Sequence, residues 1–105
     1  MRRGEVWWAE LPPPIGRRPV VLLSRDVAYR VRTSITVGMV TRIARNIPVE
    51  VPLGTEDGMP QQCVANLDDI LTIPKGRLAG RITMLSPQKM TAVARAVIFA
   101  LDLKV

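Results

Sequence analysis

Two short segments hold the residues best suited to chemistry. Gly16-Arg17-Arg18-Pro19-Val20-Val21-Leu22-Leu23-Ser24 sets an arginine directly before a proline at the start of an apolar strand. Val37-Gly38-Met39-Val40-Thr41-Arg42 ends an alternating strand in a threonine and an arginine. The ring of Pro19 disfavours helical backbone at Arg18 and pushes it toward an extended conformation. A guanidinium fixed at a strand mouth suits a phosphate clamp, because its planar fork offers parallel N–H donors to an anion. Thr41 shares parity with Ile35, Val37 and Met39, so periodicity alone makes it a strand-end threonine on the core side.

The charge around these segments is one-sided. The chain of 105 residues has a net charge of +6, carried by 12 arginines and 3 lysines against 9 acids. From Ile15 to Arg45 there are seven arginines and one acid, Asp26, so this stretch alone accounts for +6. Arginine serves bidentate phosphate contact and base stacking, and an anionic partner is expected: a nucleic acid or an acidic protein segment. Arg17, Arg42 and Arg45 flank the two candidate positions and are the expected phosphate contacts.

Composition excludes several chemistries. With no histidine, there is no Ser-His or Cys-His catalysis and no histidine-ligated zinc. Cys63 is the one cysteine, so an internal disulfide and a cysteine-rich cluster are both ruled out. An enzyme built from this chain is expected to use no cofactor and no metal, or a metal held by carboxylates alone. Cys63 itself reads as a small buried apolar residue, with nothing near it in sequence to activate it. No secretory segment or membrane-length apolar run is present, and a reducing cytoplasm is the expected compartment.

The elements that must position these residues are short. With 48% hydrophobic residues and no linker or repeat, one domain spanning residues 1–105 is expected. Strands are predicted over Gly4–Leu11, Arg18–Ser24, Ser34–Arg42, Pro48–Leu53, Cys63–Leu67, Ile70–Ile73 and Arg81–Leu85. Arg18–Ser24 is apolar on both faces and therefore central, while prolines make Pro48–Leu53 edge-like. Asp26–Val31 reads as a helical turn or a loop, Gly54–Gln62 as a turn-rich loop, and Asp68-Asp69 as a tight turn between two strands. Trp7 and Trp8 alternate across the first strand, which sends one into the core, with base stacking the lesser reading. Ser86-Pro87 is an N-cap with proline at the first helical position. Met90, Val93, Ala94, Val97 and Leu101 then share one helix face, and Ile98 and Phe99 widen it enough to suggest a second subunit. The fold expected is a small, strongly twisted, partly closed β-barrel with a C-terminal helix.

Over nearly its whole length the chain resembles the MazF/PemK family of toxin endoribonucleases from toxin–antitoxin pairs. The resemblance is carried by Arg3-Gly4-Glu5-Val6-Trp7-Trp8-Ala9-Glu10-Leu11, Arg18-Pro19-Val20-Val21-Leu22-Leu23-Ser24, Val40-Thr41, Ile47-Pro48-Val49-Glu50-Val51-Pro52-Leu53, Cys63-Val64-Ala65-Asn66-Leu67-Asp68-Asp69-Ile70 and Arg81-Ile82-Thr83-Met84-Leu85-Ser86-Pro87, in that order. It implies an SH3-like barrel with helices, a homodimer, and cleavage of single-stranded RNA without a metal. It also implies inhibition of translation and growth, and a cognate antitoxin whose acidic, disordered segment covers the RNA groove. Arg18 matches the family's catalytic arginine and Thr41 its catalytic threonine. Family members often carry a longer first loop with a Gly-Ser-Glu type stretch. Here Pro12-Pro13-Pro14-Ile15-Gly16-Arg17 is short and holds no acid, so catalysis would rest on in-line positioning and charge neutralisation. Two other readings stay open at this point. One is a gyrase poison of the CcdB kind on the same fold, disfavoured because Leu101-Asp102-Leu103-Lys104-Val105 lacks the terminal tryptophan. The other is a barrel that binds RNA without cutting it.

Overall fold

Runs of apolar residues in the central strands, buried on both faces, give this chain a sheet with two dry faces. The computed structural model describes residues 1–105. In chain order the elements are β1 (Glu5–Glu10), β2 (Arg17–Leu22), α1 (Ala28–Val31), β3 (Ser34–Thr41), β4 (Glu50–Leu53), β5 (Cys63–Pro74), β6 (Leu78–Met84) and α2 (Pro87–Ala100), with 3-10 turns at Thr55–Asp57 and Lys75–Arg77. The six strands form one antiparallel sheet in the order β4-β5-β3-β2-β1-β6, curled into a half-barrel. β2 lies inside the sheet and β4 at its edge, as the apolar pattern and the prolines predict. No helix is long and apolar enough to cross a membrane.

One face packs Val6, Val21, Val40, Leu53, Ala65 and Leu67 under Val93 and Ala96 of α2. The other packs Val20, Leu22, Ile35, Val37 and Ile73 against Tyr29 of α1. Ser86 caps α2 as predicted, its Oγ accepting from the Lys89 N–H at 3.1 Å. Met90, Val93 and Val97 of the predicted face of α2 pack on the first core, joined by Ala92 and Ala96. Val93 and Ala96 are its buried residues, while Leu101 falls beyond the helix and is 56% exposed. Curvature comes partly from the β1–β6 pairing, whose register shifts between Val6 and Trp7 and again between Trp8 and Ala9. Each shift puts an extra residue on one strand and bends the sheet.

β5 corrects the prediction of two short strands separated by an Asp68-Asp69 turn. It is one strand whose two flanks both pair with β3, and its register jumps from Gly38↔Ile70 to Met39↔Asn66. The aspartates sit in that bulge, where Asn66 Oδ1 accepts from the Asp68 N–H at 3.0 Å. Gly38 makes room for it, since a Cβ there would lie 3.0 Å from Leu67 Cδ1. β6 also begins at Leu78 rather than Arg81, because β1 pairs with it as far as Ala9↔Leu78.

The half-barrel is drawn together where the turn after β4 meets β6. Thr83 Oγ1 donates to Asp57 O at 2.9 Å, beside Gly58 at φ +87°. A Cβ on Gly58 would lie 2.3 Å from that Oγ1. Gly58→Ala combines left-handed strain with overpacking and is expected to cost about 2 kcal/mol or more. A fall in the urea midpoint with unchanged slope would show this; an unchanged midpoint would mean that the turn adapts freely.

Glu5 fastens β1 to β6 from a nearly buried position. Its Oε1 accepts from the Arg2 N–H at 3.1 Å and from Trp7 Nε1 at 2.9 Å, and its Oε2 from Arg81 Nε at 3.1 Å. Burial pushes this carboxyl up, but the bonds from Trp7, Arg2 and Arg81 outweigh it and hold the group below its ordinary value. A depressed folded-state pKa adds stability above the unfolded-state value, and that stability is lost as pH falls through the folded-state value. Glu5→Gln is therefore expected to cost about 1–3 kcal/mol at neutral pH. Its deficit against the wild type should shrink in acid; a deficit independent of pH would place the effect in packing instead.

Candidate nucleic-acid interface

The site forms at the end of the sheet where β2 begins and β3 ends. These two strands pair antiparallel with Val20 opposite Met39, Val21 opposite Gly38 and Leu22 opposite Val37. Extending this register by two residues sets Arg18 opposite Thr41. The hairpin connection, with α1, its Arg30 and the flanking Arg25 and Arg32, lies at the other end of the same strands. The arginine-rich stretch is thus divided by the fold: Arg17, Arg18 and Arg42 reach the site, while three others gather around α1.

A cleft of about 360 Å³ opens here, lined by Arg17, Arg18 and Arg42, by Thr41 and Trp8, and walled by Met59, Pro60 and Gln61 after the 3-10 turn. None of its lining residues is acidic. Arg18 and Arg42 form no ion pair with the protein, so their donors are free for a ligand. Thr41 is half-buried, and its Oγ1 accepts from the Ile43 N–H at 3.3 Å. That bond uses a lone pair and fixes the oxygen, while the hydroxyl hydrogen remains available to donate. Donors converging without a carboxylate make an anion site.

Arg17 differs from its neighbour. It faces Glu10 across the β1–β2 pairing, its Nη1 bonded to Glu10 Oε1, and its guanidinium carbon lies 4.8 Å from the Trp8 ring centroid. Trp8, for which sequence reasoning held base stacking the lesser reading, lines the cleft. The only signal was its place on β1, and the strand partner that brings it to the site, Pro19, is a pairing the sequence does not specify. Neither tryptophan is fully buried; Trp7 packs partly on the second core instead.

Arg45 does not join the cleft. It is exposed on the β3–β4 connection, where Glu50 Oε1 accepts from the N–H groups of Arg45 and Asn46 at 2.8 and 3.0 Å. Cys63 reaches the cleft edge but is only 8% exposed, and burial, then Asp57 and Glu56, push its thiol up. It stays a neutral thiol rather than a nucleophile. The first loop is a closed turn, with the Leu11 N–H donating to Gly16 O at 3.0 Å, and it brings no carboxylate to the site. No three Cys, Asp or Glu side chains are grouped so as to hold a metal ion.

Residues 2–101 match the PemK-like, MazF-like toxins of type II toxin–antitoxin systems. The chain belongs to this family. A curated relative, the probable endoribonuclease MazF2 of Mycobacterium tuberculosis, is 42% identical over 92 residues, covering 86% of this chain and 87% of its own. The solved structure of the Mycobacterium tuberculosis toxin MazF-mt6 superposes with a TM-score of 0.89 at 32% identity, over 96% of this chain and 99% of that one. A mycobacterial endoribonuclease solved in complex with its cognate antitoxin gives 0.88 at 26% identity, over 100% and 98%. In this MazF-like chain the half-barrel holds the cleft at the end of β2 and β3.

Proposed function

We propose that this chain is an endoribonuclease toxin that cuts single-stranded RNA, chiefly messenger RNA, in the Arg18–Thr41 cleft without a metal. Family membership supports the activity class. The observation that carries the chemistry is a cleft with two unpaired guanidiniums, an oriented threonine hydroxyl and no acid.

The ribose 2′-oxygen attacks the adjacent phosphorus in line and loses its proton to solvent. A bond forms from phosphorus to the 2′-oxygen, and the bond to the 5′-oxygen breaks. The 5′-oxygen takes up a proton from water. The products are a 2′,3′-cyclic phosphate and a 5′-hydroxyl. Charge builds on the non-bridging oxygens in the transition state, where preorganised donors act most strongly. Arg18 supplies the charged donor and Thr41 Oγ1 a neutral one. Arg42 holds a neighbouring phosphate. No carboxylate or histidine lines the cleft, and the carboxylate beside it, Glu10, is bonded to Arg17, so the chain's contribution is positioning and charge neutralisation rather than proton abstraction.

The protein acts in the cytoplasm as a homodimer, and a cognate antitoxin with an acidic disordered segment restrains it. The apolar flank of α2 supports the homodimer, since Phe99 is 61% exposed there and the core is small. Sedimentation should show a species near twice 11.6 kDa. A monomer that still cuts RNA would remove the dimer from the mechanism.

Incubation of purified protein with a long RNA in EDTA tests the nuclease itself. Discrete fragments with cyclic-phosphate and 5′-hydroxyl ends are expected, and mapping those ends gives the cut sequence. RNA that stays intact but retarded on a gel would replace the nuclease with an RNA-binding barrel.

A further inference from the structure

We propose that Arg17 is a base-stacking residue, held flat on Trp8 by Glu10, and that it selects the nucleobase entering the cleft instead of neutralising phosphate. The inference deepens the nuclease reading and rests on it for the substrate class. It departs from the sequence-based expectation that Arg17 is one more phosphate contact.

Three observations converge on it. The Arg17 guanidinium carbon sits over the Trp8 ring, 4.8 Å from its centroid and within cation–π reach of the indole. Arg17 Nη1 bonds Glu10 Oε1, and these residues are directly opposed in the β1–β2 register, so strand pairing itself delivers the carboxylate. Both Trp8 and Arg17 line the cleft, and the Arg17 side chain remains 53% exposed, so it stays accessible to a ligand there. Glu10 offsets the charge that a phosphate would seek, whereas Arg18 and Arg42 carry no such partner. An exposed ion pair adds little stability, and its consequence here is orientation. What remains is a flat, polarisable, partly neutralised platform beside two free guanidiniums. Arginine planes and aromatic rings both stack on unpaired bases in single-stranded RNA. The wider face of a purine covers more of the platform than a pyrimidine does.

The test uses fully 2′-O-methylated oligonucleotides of A, G, C and U, which lack the 2′-hydroxyl nucleophile and so report binding without cleavage. The wild type is expected to favour purines by about fivefold or more. Arg17→Ala should collapse that spread. Arg17→Lys should collapse it too, since it keeps the charge and loses the plane. Glu10→Gln frees the Arg17 charge and should steepen the dependence of log affinity on log salt by about 0.7, the increment of one added phosphate contact on a single strand. The proposal is overturned if the wild type shows no base preference. It is also overturned if Arg17→Lys retains the wild-type preference, or if Arg17→Ala only lowers the salt slope with the base ranking intact. Unmodified RNA is assayed in parallel. Intact RNA alongside the expected base preference would remove the nuclease and leave the platform. Cleavage alongside an unchanged preference in Arg17→Lys would remove the platform alone.

Discussion

Replacing Arg18 with alanine is expected to lower the rate of RNA cleavage by about 10²–10³-fold or more, the loss seen when a preorganised transition-state donor is removed. The motivation is geometric. Arg18 lies at the mouth of β2, opposite Thr41 when the β2–β3 register is extended, and has no partner within the protein. Its donors therefore meet the substrate without first breaking an internal bond. Arg18→Lys should also be badly impaired, because a point charge on a flexible stem cannot reproduce the fork. Thr41→Ala should cost about tenfold, in line with the smaller worth of a neutral hydrogen bond. The two losses should not add, since both donors serve one phosphate. Stability should hardly change in Arg18→Ala, as the side chain is half-buried and belongs to neither core cluster. Single-turnover cleavage and thermal melting measured on the same preparations check this. Wild-type cleavage by a folded Arg18→Ala protein would remove the mechanism.

How much of this could be read from the sequence depends on the range of the interaction that decides it. Local signals read well. Ser86-Pro87 starts α2, the Asp26–Val31 stretch contains the helical turn Ala28–Val31, and the proline-bearing Glu50–Leu53 strand lies at an edge. Arg18 and Thr41 were visible as candidates, yet nothing within either segment states that they face each other. That depends on the β2–β3 register, fixed by Val20 opposite Met39 after a crossing through α1. Asp68-Asp69 misled for a related reason. An Asn66 side chain accepting from the Asp68 N–H makes the same local bend in a bulge as in a hairpin turn. Only the pairing of both flanks with the same strand tells them apart, and the missing Cβ of Gly38 that admits Leu67 lies far away in sequence. The place of Trp8 in the cleft and of Arg45 outside it follow the same principle. Cleft membership follows from where strands end in space, while closeness to a catalytic residue in sequence reaches only as far as the next bend.

Charge reversal at Arg42 is expected to weaken RNA and antitoxin together, by about ten- to a hundredfold each. That range corresponds to the roughly 1.5–3 kcal/mol carried by a charge-assisted contact. Arg42 lines the cleft and has no carboxylate partner, so the anion that enters meets its full charge. The attraction of such a surface depends little on whether the negative charge is phosphate or carboxylate, which lets one groove serve both partners. A disordered acidic segment spends ordering entropy on binding but can lie along the groove and exclude RNA. The fold grades the effect. Arg42→Glu should do most, Arg45→Glu less because Arg45 stands outside the cleft, and Arg17→Glu should alter base preference more than salt dependence because Glu10 already pairs with it. Arg42→Ala should reduce the salt slope for RNA by about 0.7, and both affinities of the wild type should fall with rising salt. Competition experiments with a 2′-O-methylated oligonucleotide and the cognate antitoxin decide whether the surface is shared. Antitoxin that binds Arg42→Glu as tightly as the wild type, or RNA that still binds with the antitoxin saturating, would separate the two surfaces. Inhibition would then have to act from outside the cleft.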